Sequence, residues 1–521
     1  MVFVKRLVGR NFNDGNFQRF INNLPFSVEE NNLVPCVNIR NDDVIRKITI
    51  ESILTRIFNK IKIICTEKLK VDIIKAVVSV PSYFNPVQRK SIKNAIDKSG
   101  LSFFKFISET IAISIAYSRK YNILKNKQIM IVDFGAGKLE ASIVEISDPK
   151  NFVQLLVKSD NDFGGLDLND IVIEHYIKLL KRKSVDIRKN KRAIQKLGME
   201  IEKAKRRLSS DTEVKLEINN LVENYNFSQI LSVDDFETLN KQLFQRFSRL
   251  IKSFLKESIT MGIDISEIVL AGGSTRTPQI SRILDKIIIS TFGHSVPILQ
   301  MNEYTDEANV AFGASFLSSN NIHVLNLIPF SLGFSQNDGG FKKLIEKNSY
   351  LPIKLSGLLT TSDCNSVSIY LGDSLIANEN EFLFKFNSKI LKTQKLCTIL
   401  VTFDLDINGI LEISVIDKTT EKMKKSETEQ TKSKNIVKES SSSEPFDYRA
   451  LWTFYLVSFF LIFFILYYCC VKTLKEIKRR RIEELEAIRV LEELTRARIA
   501  IEELLRQMRL LNVTIFFYLK S

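Results

Sequence analysis

The sequence predicts an α/β domain followed by a small all-β domain, and three observations carry that prediction. From Met1 to about residue 321, strand-like apolar runs such as KAVVSV, QIMIVDFG, ASIVEI and EIVLAGG alternate with long helical stretches, the pattern of helices layered on a sheet. From 322 to 418 the runs become short and alternating, as in VSIYLGD, FLFKF and ILVTFDLDINGILEISVID. Between two of these runs stands Asn408-Gly409, a residue pair suited to the positive backbone angles of a tight hairpin turn. The 521 residues and 45% hydrophobic content suffice for about two to four domains with real cores. No repeat of solenoid period is present.

Beyond the β domain the composition shifts twice. Residues 419–449 are dominated by Lys, Glu, Ser and Thr, with too little apolar surface to offset the entropy of ordering, and they predict a disordered linker. Residues 450–471, ALWTFYLVSFFLIFFILYYCCV, carry no charge and match the ~20 residues a helix needs to cross a bilayer. Trp452 and Tyr455 near one end, with Tyr467 and Tyr468 near the other, resemble interfacial aromatic belts. Lys472, Lys475, Lys478, Arg479, Arg480 and Arg481 follow directly, a bias that predicts a cytosolic tail and a large N-terminal part across the membrane. In residues 472–521 the stripe Ile482, Leu485, Ile488, Leu491, Leu494, Ile501, Leu504, Leu505 and Met508 predicts an amphipathic helix, either a coiled coil or one lying along the bilayer.

The formal net charge of +15 raises the question of a nucleic-acid partner, but Lys and Arg are scattered and their densest block adjoins the apolar run, so the charge is read as membrane-flanking. Six cysteines form no CxxC pair and the three histidines are far apart, which argues against zinc and against a disulfide scaffold. Cys469 and Cys470 either finish the membrane helix or accept reversible acylation. The N-terminal MVFVKRLVGRNF shows no apolar core of signal-peptide length.

Four segments of the α/β part share one chemical logic. In QIMIVDFGAGKLEASIVEI, Asp133 ends a strand and Gly135 and Gly137 form a turn before the next, so backbone N–H groups stand beside a carboxylate, a combination able to hold phosphate and orient hydrated Mg²⁺. DFGGLDLND repeats the idea with Gly164, Gly165 and Asp167. IEKAKRRLSS sets Glu202, Lys205, Arg206 and Ser209 at one-turn helical spacings, where long stems flank a flat base and polar heads bind its edge. IVLAGGSTRTPQIS places Gly272, Gly273, Ser274 and Arg276 between a buried strand and a helix opened by Pro278, leaving backbone bare for an anion or nucleoside.

In this order the segments resemble the heat shock protein 70 family of chaperones and its larger relatives of the heat shock protein 110 and 170 types. KAVVSVPSYFNPVQRKSIKNAIDKSGLSFFKFISETIAISIAY is similar to that family's signature segment, VDFGAGKLEASIVEI to its second phosphate loop and IVLAGGSTRTPQIS to its adenosine motif. FSLGF, LPIK and TFDLDINGILEISVIDKTT are similar to its β-sandwich. The resemblance covers about residues 2–420 and implies an actin-like, two-lobed ATPase domain and a β-sandwich that binds unfolded polypeptide. It implies ATP or ADP with Mg²⁺ as cofactors. Implied partners are unfolded clients, with J-domain co-chaperones or another heat-shock chaperone, and no nucleic acid. Lys5 matches the lysine that reaches the γ-phosphate, Glu109 the carboxylate that positions water, and Asp133 the one that holds hydrated Mg²⁺. Gly135, Gly137, Lys138, Gly164 and Gly165 fall in the phosphate loops. Glu202, Lys205, Arg206, Ser209, Gly272, Gly273, Ser274 and Arg276 fall in the adenosine pocket. Pro81 and Arg89 match switch residues between nucleotide and peptide domains, and Val324–Leu327 stands where the family keeps its interdomain linker.

The pattern also departs from the family's. A β-rich segment with the first phosphate loop normally precedes KRLVGR, and its lack predicts an open sheet edge, through either a truncated gene model or a degenerate protein. Ala136 replaces a glycine, Lys138 a threonine and Glu140 a metal-associated aspartate, while Thr110 follows Glu109 where proline is usual, as in the larger, heat shock protein 110 branch. Lys138 is expected to bind phosphate as a point charge. Linker and membrane helix stand where a helical lid would close over peptide, so capture is expected to be weak and fast. Two functions follow as expectations: a membrane-anchored, ATP-hydrolysing chaperone in the endoplasmic reticulum with its N-terminal part lumenal, or a nucleotide-binding co-chaperone or exchange factor with little ATPase activity. A degenerate fragment is the third.

Overall fold

A computed structural model describes residues 4–427, apart from 13, 23, 25, 32–33, 42–43, 124–125, 302–305, 319–321, 362–365, 388–396 and 418–422, together with residues 515–519. Most of the predicted linker, the predicted membrane helix 450–471 and the amphipathic stripe lie outside these residues. Among the described residues no helix is long and apolar enough to cross a membrane.

The first part opens with α1 (Val4–Leu7) and α2 (Gly15–Asn22), then an antiparallel sheet of β1 (Val28–Asn31), β2 (Val34–Asn41) and β3 (Val44–Thr49). Helix α3 (Ile50–Leu69) starts where the Thr49 side chain accepts from the Ser52 N–H and stops where Lys70 turns left-handed at φ 57°. Strand β4 (Ile73–Val80), α4 (Pro86–Lys98), β5 (Ser102–Ser108) and α5 (Glu109–Tyr121) follow, with β4 and β5 parallel. Asn85 and Gln88 cap α4 reciprocally, and Pro86 occupies its first turn, where no N–H is missed. The stripe Ile50, Ile53, Leu54, Ile57, Phe58 and Ile61 on α3 packs with Ala76, Val78 and Val80 of β4 into the core of this lobe.

The second lobe runs β6 (Lys127–Phe134), β7 (Leu139–Asp148), β8 (Asn151–Asp160), α6 (Gly165–Arg182), α7 (Lys191–Arg207), β9 (Glu213–Val222), β10 (Tyr225–Ser232), α8 (Val233–Leu239), α9 (Lys241–Thr260), β11 (Glu267–Ala271), α10 (Pro278–Phe292), β12 (Ile298–Gln300), α11 (Asp306–Ser315) and β13 (His323–Leu325). Its sheet has the order β12-β11-β6-β7-β8-β13. The run IMIV in β6 is apolar throughout because both faces of this sheet are covered: Met130 and Val132 face the layer containing Leu168, Ile251 and Leu284, whereas Ile129 and Ile131 face Ile111, Ile115 and Ala314. Strands β6 to β8 are antiparallel, while β11, β12 and β13 join in parallel.

The β domain is a sandwich of two four-stranded sheets. Its elements are β14 (Leu332–Ser335), β15 (Phe341–Ile345), β16 (Ile353–Thr361), β17 (Ser366–Leu371), β18 (Glu381–Asn387), β19 (Cys397–Leu405), β20 (Leu411–Asp417) and β21 (Met423–Glu427). Asn408-Gly409 turns β19 into β20 as expected, with Gly409 at φ 69° and the Asp406 carboxylate accepting from the Asn408 and Ile410 N–H groups. Cys397 is disulfide-bonded, and its partner lies outside the described residues.

Two segments differ from the sequence expectation. Met423–Glu427, inside the stretch composition assigns to a linker, forms a lysine-bearing edge strand on β20, where pairing satisfies backbone that composition alone leaves unpaired. Ile515–Leu519, inside the predicted C-terminal helix, is strand β22, which pairs antiparallel with β4 on the edge opposite β5. Its IFFYL run is rich in the aromatic and β-branched residues that favour strands.

Candidate functional site

Three turns meet at the ends of β6, β8 and β11. The β6–β7 turn closes through the Gly135 N–H on the Lys138 carbonyl at 3.1 Å. The turn into α6 lies directly on it: Gly165 N–H donates to the Gly135 carbonyl at 2.9 Å and Leu166 N–H to that of Ala136 at 2.8 Å. From the β11–α10 turn, the Ser274 hydroxyl donates to the same Gly135 carbonyl at 3.0 Å. Small residues are required here by contact: a Cβ on Gly164 would stand 2.4 Å from the Ala136 carbonyl oxygen, and one on Gly272, already at φ 82°, 2.4 Å from that of Phe134. The bareness of Gly272 therefore serves turn-on-turn packing, whereas Gly273 and Arg276 are exposed.

Helix α7 delivers Glu202 and Lys205 to the same place. Lys205 Nζ donates to the Gly165 carbonyl at 2.8 Å and pairs with Glu202 at 2.7 Å, and Asn169 Nδ2 donates to Glu202 at 2.7 Å. Arg206 Nε holds the other Glu202 oxygen at 2.8 Å, and the Ser209 hydroxyl donates to the Arg206 carbonyl, leaving Arg206 and Ser209 on the exposed side. The adenosine-pocket residues named from sequence thus divide into Glu202, Lys205, Gly272 and Ser274, half-buried or buried against the turns, and Arg206, Ser209, Gly273 and Arg276, which are exposed.

The acidic centre is more unusual. Glu109 begins α5, Asp133 is the last residue but one of β6 and Glu140 the second of β7, the last two being direct partners in the β6–β7 register. Lys138 reaches into the space among them: its Nζ lies 2.8 Å from Asp133 Oδ2, 2.9 Å from Glu109 Oε2 and 3.0 Å from Glu140 Oε2. Lys5, on α1, pairs with the second oxygen of Glu109. Burial alone would raise the Glu109 carboxyl, but the Lys138 and Lys5 ammoniums outweigh it and bring it down to about 2. Burial, with the Glu109 and Glu140 charges, pushes Asp133 up despite Lys138. Burial works against the Lys138 ammonium too, yet its three carboxylates hold it well above the ordinary lysine range. Glu140 is completely enclosed and accepts further hydrogen bonds from the Ser82 N–H at 3.2 Å, the Ser82 hydroxyl at 2.7 Å and the Thr110 hydroxyl at 3.2 Å.

Two expectations change here. Lys138, expected to meet phosphate, is engaged by carboxylates, because the β6–β7 register sets Asp133 opposite Glu140 and α5 brings Glu109 to the same point. Hydrated Mg²⁺ held through Asp133 fits poorly here: its Oδ2, which would order a metal-bound water, already contacts the Lys138 ammonium at 2.8 Å. Among the described residues no group of three or more His, Cys, Asp or Glu is arranged to hold a metal ion.

Arg6 escaped the sequence reading, although it adjoins Lys5. Its Nε donates to the Gly137 carbonyl at 2.7 Å and its Nη2 to Asp167 Oδ2 at 2.6 Å, and that oxygen also accepts the Gly164 N–H at 2.6 Å, so one guanidinium clamps the β6–β7 turn and the turn into α6. Gln154, the polar residue in the apolar strand NFVQLLV, was also missed. It is fully buried, donates to the Ser142 hydroxyl at 3.0 Å and accepts the Leu327 N–H at 3.2 Å.

Pro81 and Arg89 lie between this site and the sandwich. Pro81 is buried at the end of β4, next to Ser82. Arg89 donates to the Ser82 and Phe84 carbonyls of its own lobe at 3.1 and 2.8 Å, and to the Asn408 carbonyl of the sandwich turn at 3.1 Å. Burial lowers its guanidinium to about 10, with Asp406 and Glu140 opposing. Asn408 Oδ1 accepts the Phe106 N–H at 3.0 Å, a second bond across the same interface. Val324 and Leu325, from the expected linker, lie in β13 at the edge of the six-stranded sheet. Compared with known families, the chain matches the family model described as Hsp70 protein over residues 1–499.

Proposed function

The chain belongs to the Hsp70 family, and from that premise we propose that it is a chaperone in which an adenine nucleotide held at the three turns changes the affinity of the β-sandwich for unfolded polypeptide. The observation that carries this reading is the polar chain between the two sites. Lys138 contacts Glu140, Glu140 accepts from Ser82, and Arg89 ties the Ser82 carbonyl to the sandwich turn at Asn408. Gln154 links the same Ser82 and Ser142 hydroxyls to Leu327, just beyond β13. A nucleotide that shifts the phosphate turns must therefore strain or release bonds reaching the peptide domain, and coupling follows when the two arrangements differ in nucleotide affinity.

The test is the affinity of a fluorescent unfolded peptide for the full-length protein with and without ATP. An ATP-induced change of at least about fivefold supports the coupling. Arg89→Ala is expected to reduce that change while leaving ATP affinity, measured by calorimetry, within about twofold of wild type. Equal peptide affinity with and without ATP in wild type removes the reading.

A second reading, a nucleotide-binding co-chaperone or exchange factor, is favoured by the state of Glu109. A carboxylate held at about 2 by two ammoniums is a poor acceptor for a proton from water at neutral pH, which argues for slow hydrolysis. Single-turnover hydrolysis in wild type and Glu109→Ala separates the readings: equal, negligible rates with ATP still bound select the second. Clients and J-domain or chaperone partners are carried over from the family as proposals. Anchoring by residues 450–471 in the endoplasmic reticulum with the N-terminal part lumenal is proposed from the chain's own sequence, for which the charge pattern and the disulfide at Cys397 speak.

A further inference from the structure

The acidic centre holds a cation of its own. Three carboxylates from α5, β6 and β7 converge on one point, and that point is occupied by Lys138 Nζ at 2.8 to 3.0 Å from an oxygen of each. The ammonium has three N–H donors and stands within 3.0 Å of three carboxylate oxygens, so it supplies positive charge to all three acids from within the chain. The side chain is 7% exposed, and its withdrawal would leave Asp133 without its ammonium and Glu109 and Glu140 each with one positive contact fewer in the interior. Lys5 adds a second positive charge on Glu109, and Arg6 a third on the neighbouring turn. A divalent cation entering here would have to stand within a few ångströms of these fixed charges and compete with Lys138 for the same oxygens.

Resting on the nucleotide-binding reading above, we infer that Lys138 is a built-in replacement for the divalent cation, so that this chain binds ATP or ADP as the free nucleotide and independently of Mg²⁺. The phosphates meet turns whose acidic neighbours are already neutralised from within, and the metal that commonly screens phosphate from carboxylate has no remaining task. Glu140 belongs to the same device, because a longer acid than aspartate extends from β7 to the ammonium while its other bonds reach Ser82 and Thr110.

The experiment is calorimetric titration of ADP into the full-length protein in excess Mg²⁺ and again in excess EDTA. Affinities equal within about twofold are expected. A loss of about tenfold or more in EDTA, restored by Mg²⁺, overturns the inference while leaving nucleotide binding intact. Absence of binding in both buffers overturns the nucleotide reading and the inference together. An independent readout is electron paramagnetic resonance with Mn²⁺ as probe: wild-type protein with ADP should show no ternary Mn²⁺ signal beyond that of Mn²⁺–ADP in buffer, and its appearance overturns the inference. Lys138→Thr, checked for folding by circular dichroism, should acquire both the Mg²⁺ dependence and the Mn²⁺ signal. If that variant does not fold, the two wild-type measurements still decide.

Discussion

Glu109 shows how much of this site's chemistry depends on single charges. Its carboxyl is only 5% exposed, so an isolated charge there would be costly, yet two ammoniums hold it at about 2 in place of the ordinary 4.5. Because the folded value is depressed, the unfolded chain binds the proton more readily. The associated stability is present above about pH 4.5 and is lost as pH falls towards about 2. Urea unfolding between those limits should show steep acid destabilisation in wild type and a shallower fall in Glu109→Gln, and equal slopes would show that the Lys138 and Lys5 pairs do not persist in solution. That distant residues meet was legible in sequence: Lys5, Glu109, Asp133 and the glycines of the turns do converge. The contacts of Lys138 were not, since residue spacing shows a lysine beside a glycine turn but not that a strand register aims Glu140 and Asp133 at it. Arg6 was hidden for a similar reason, as its partners Gly137 and Asp167 lie more than a hundred residues away.

At the scale of elements, the site is positioned by contact between α5 and α11. Every residue from Glu109 to Ser118 is buried, and α11 approaches so closely that a Cβ on Gly313 would stand 1.7 Å from the Ala112 carbonyl oxygen. A backbone atom cannot yield as a flexible side chain would, so Gly313→Ala must push α5 and α11 apart. We expect a loss of about 1–3 kcal/mol in chemical unfolding. Nucleotide affinity should fall with it, because Glu109 starts the displaced helix. An unchanged midpoint would mean that the helices are not packed at this distance. The elements themselves were legible wherever an apolar run had one interpretation: β6, β7 and β11 form as expected, and Asn408-Gly409 makes its hairpin. The segment Ile515–Leu519 was not, because its strand character is decided by a distant partner, β4, and not by the helical periodicity that precedes it.

For the whole molecule, β22 and residues 450–471 impose a choice. A chain that crosses a membrane once places its tail and its N-terminal lobe on opposite sides, so anchoring by a single crossing and pairing of β22 with β4 exclude one another in the same chain. The paired arrangement covers a β4 edge whose N–H and C=O groups would otherwise be open to other chains. Of two adjacent residues in an antiparallel strand, one directs its N–H towards the partner, so replacing both Phe516 and Phe517 by proline must remove a ladder bond whichever of them makes it. If β22 completes the lobe in the full-length protein, the double variant should unfold at lower temperature, by an amount corresponding to about 1–3 kcal/mol, and should aggregate more readily on concentration. If the tail lies across a membrane from the lobe, the same substitutions leave thermal unfolding unchanged, and protease added from the cytosolic face removes the tail while the rest of the chain survives. The pair of measurements thus decides between a lobe completed by its own C-terminus and a lobe tethered through it.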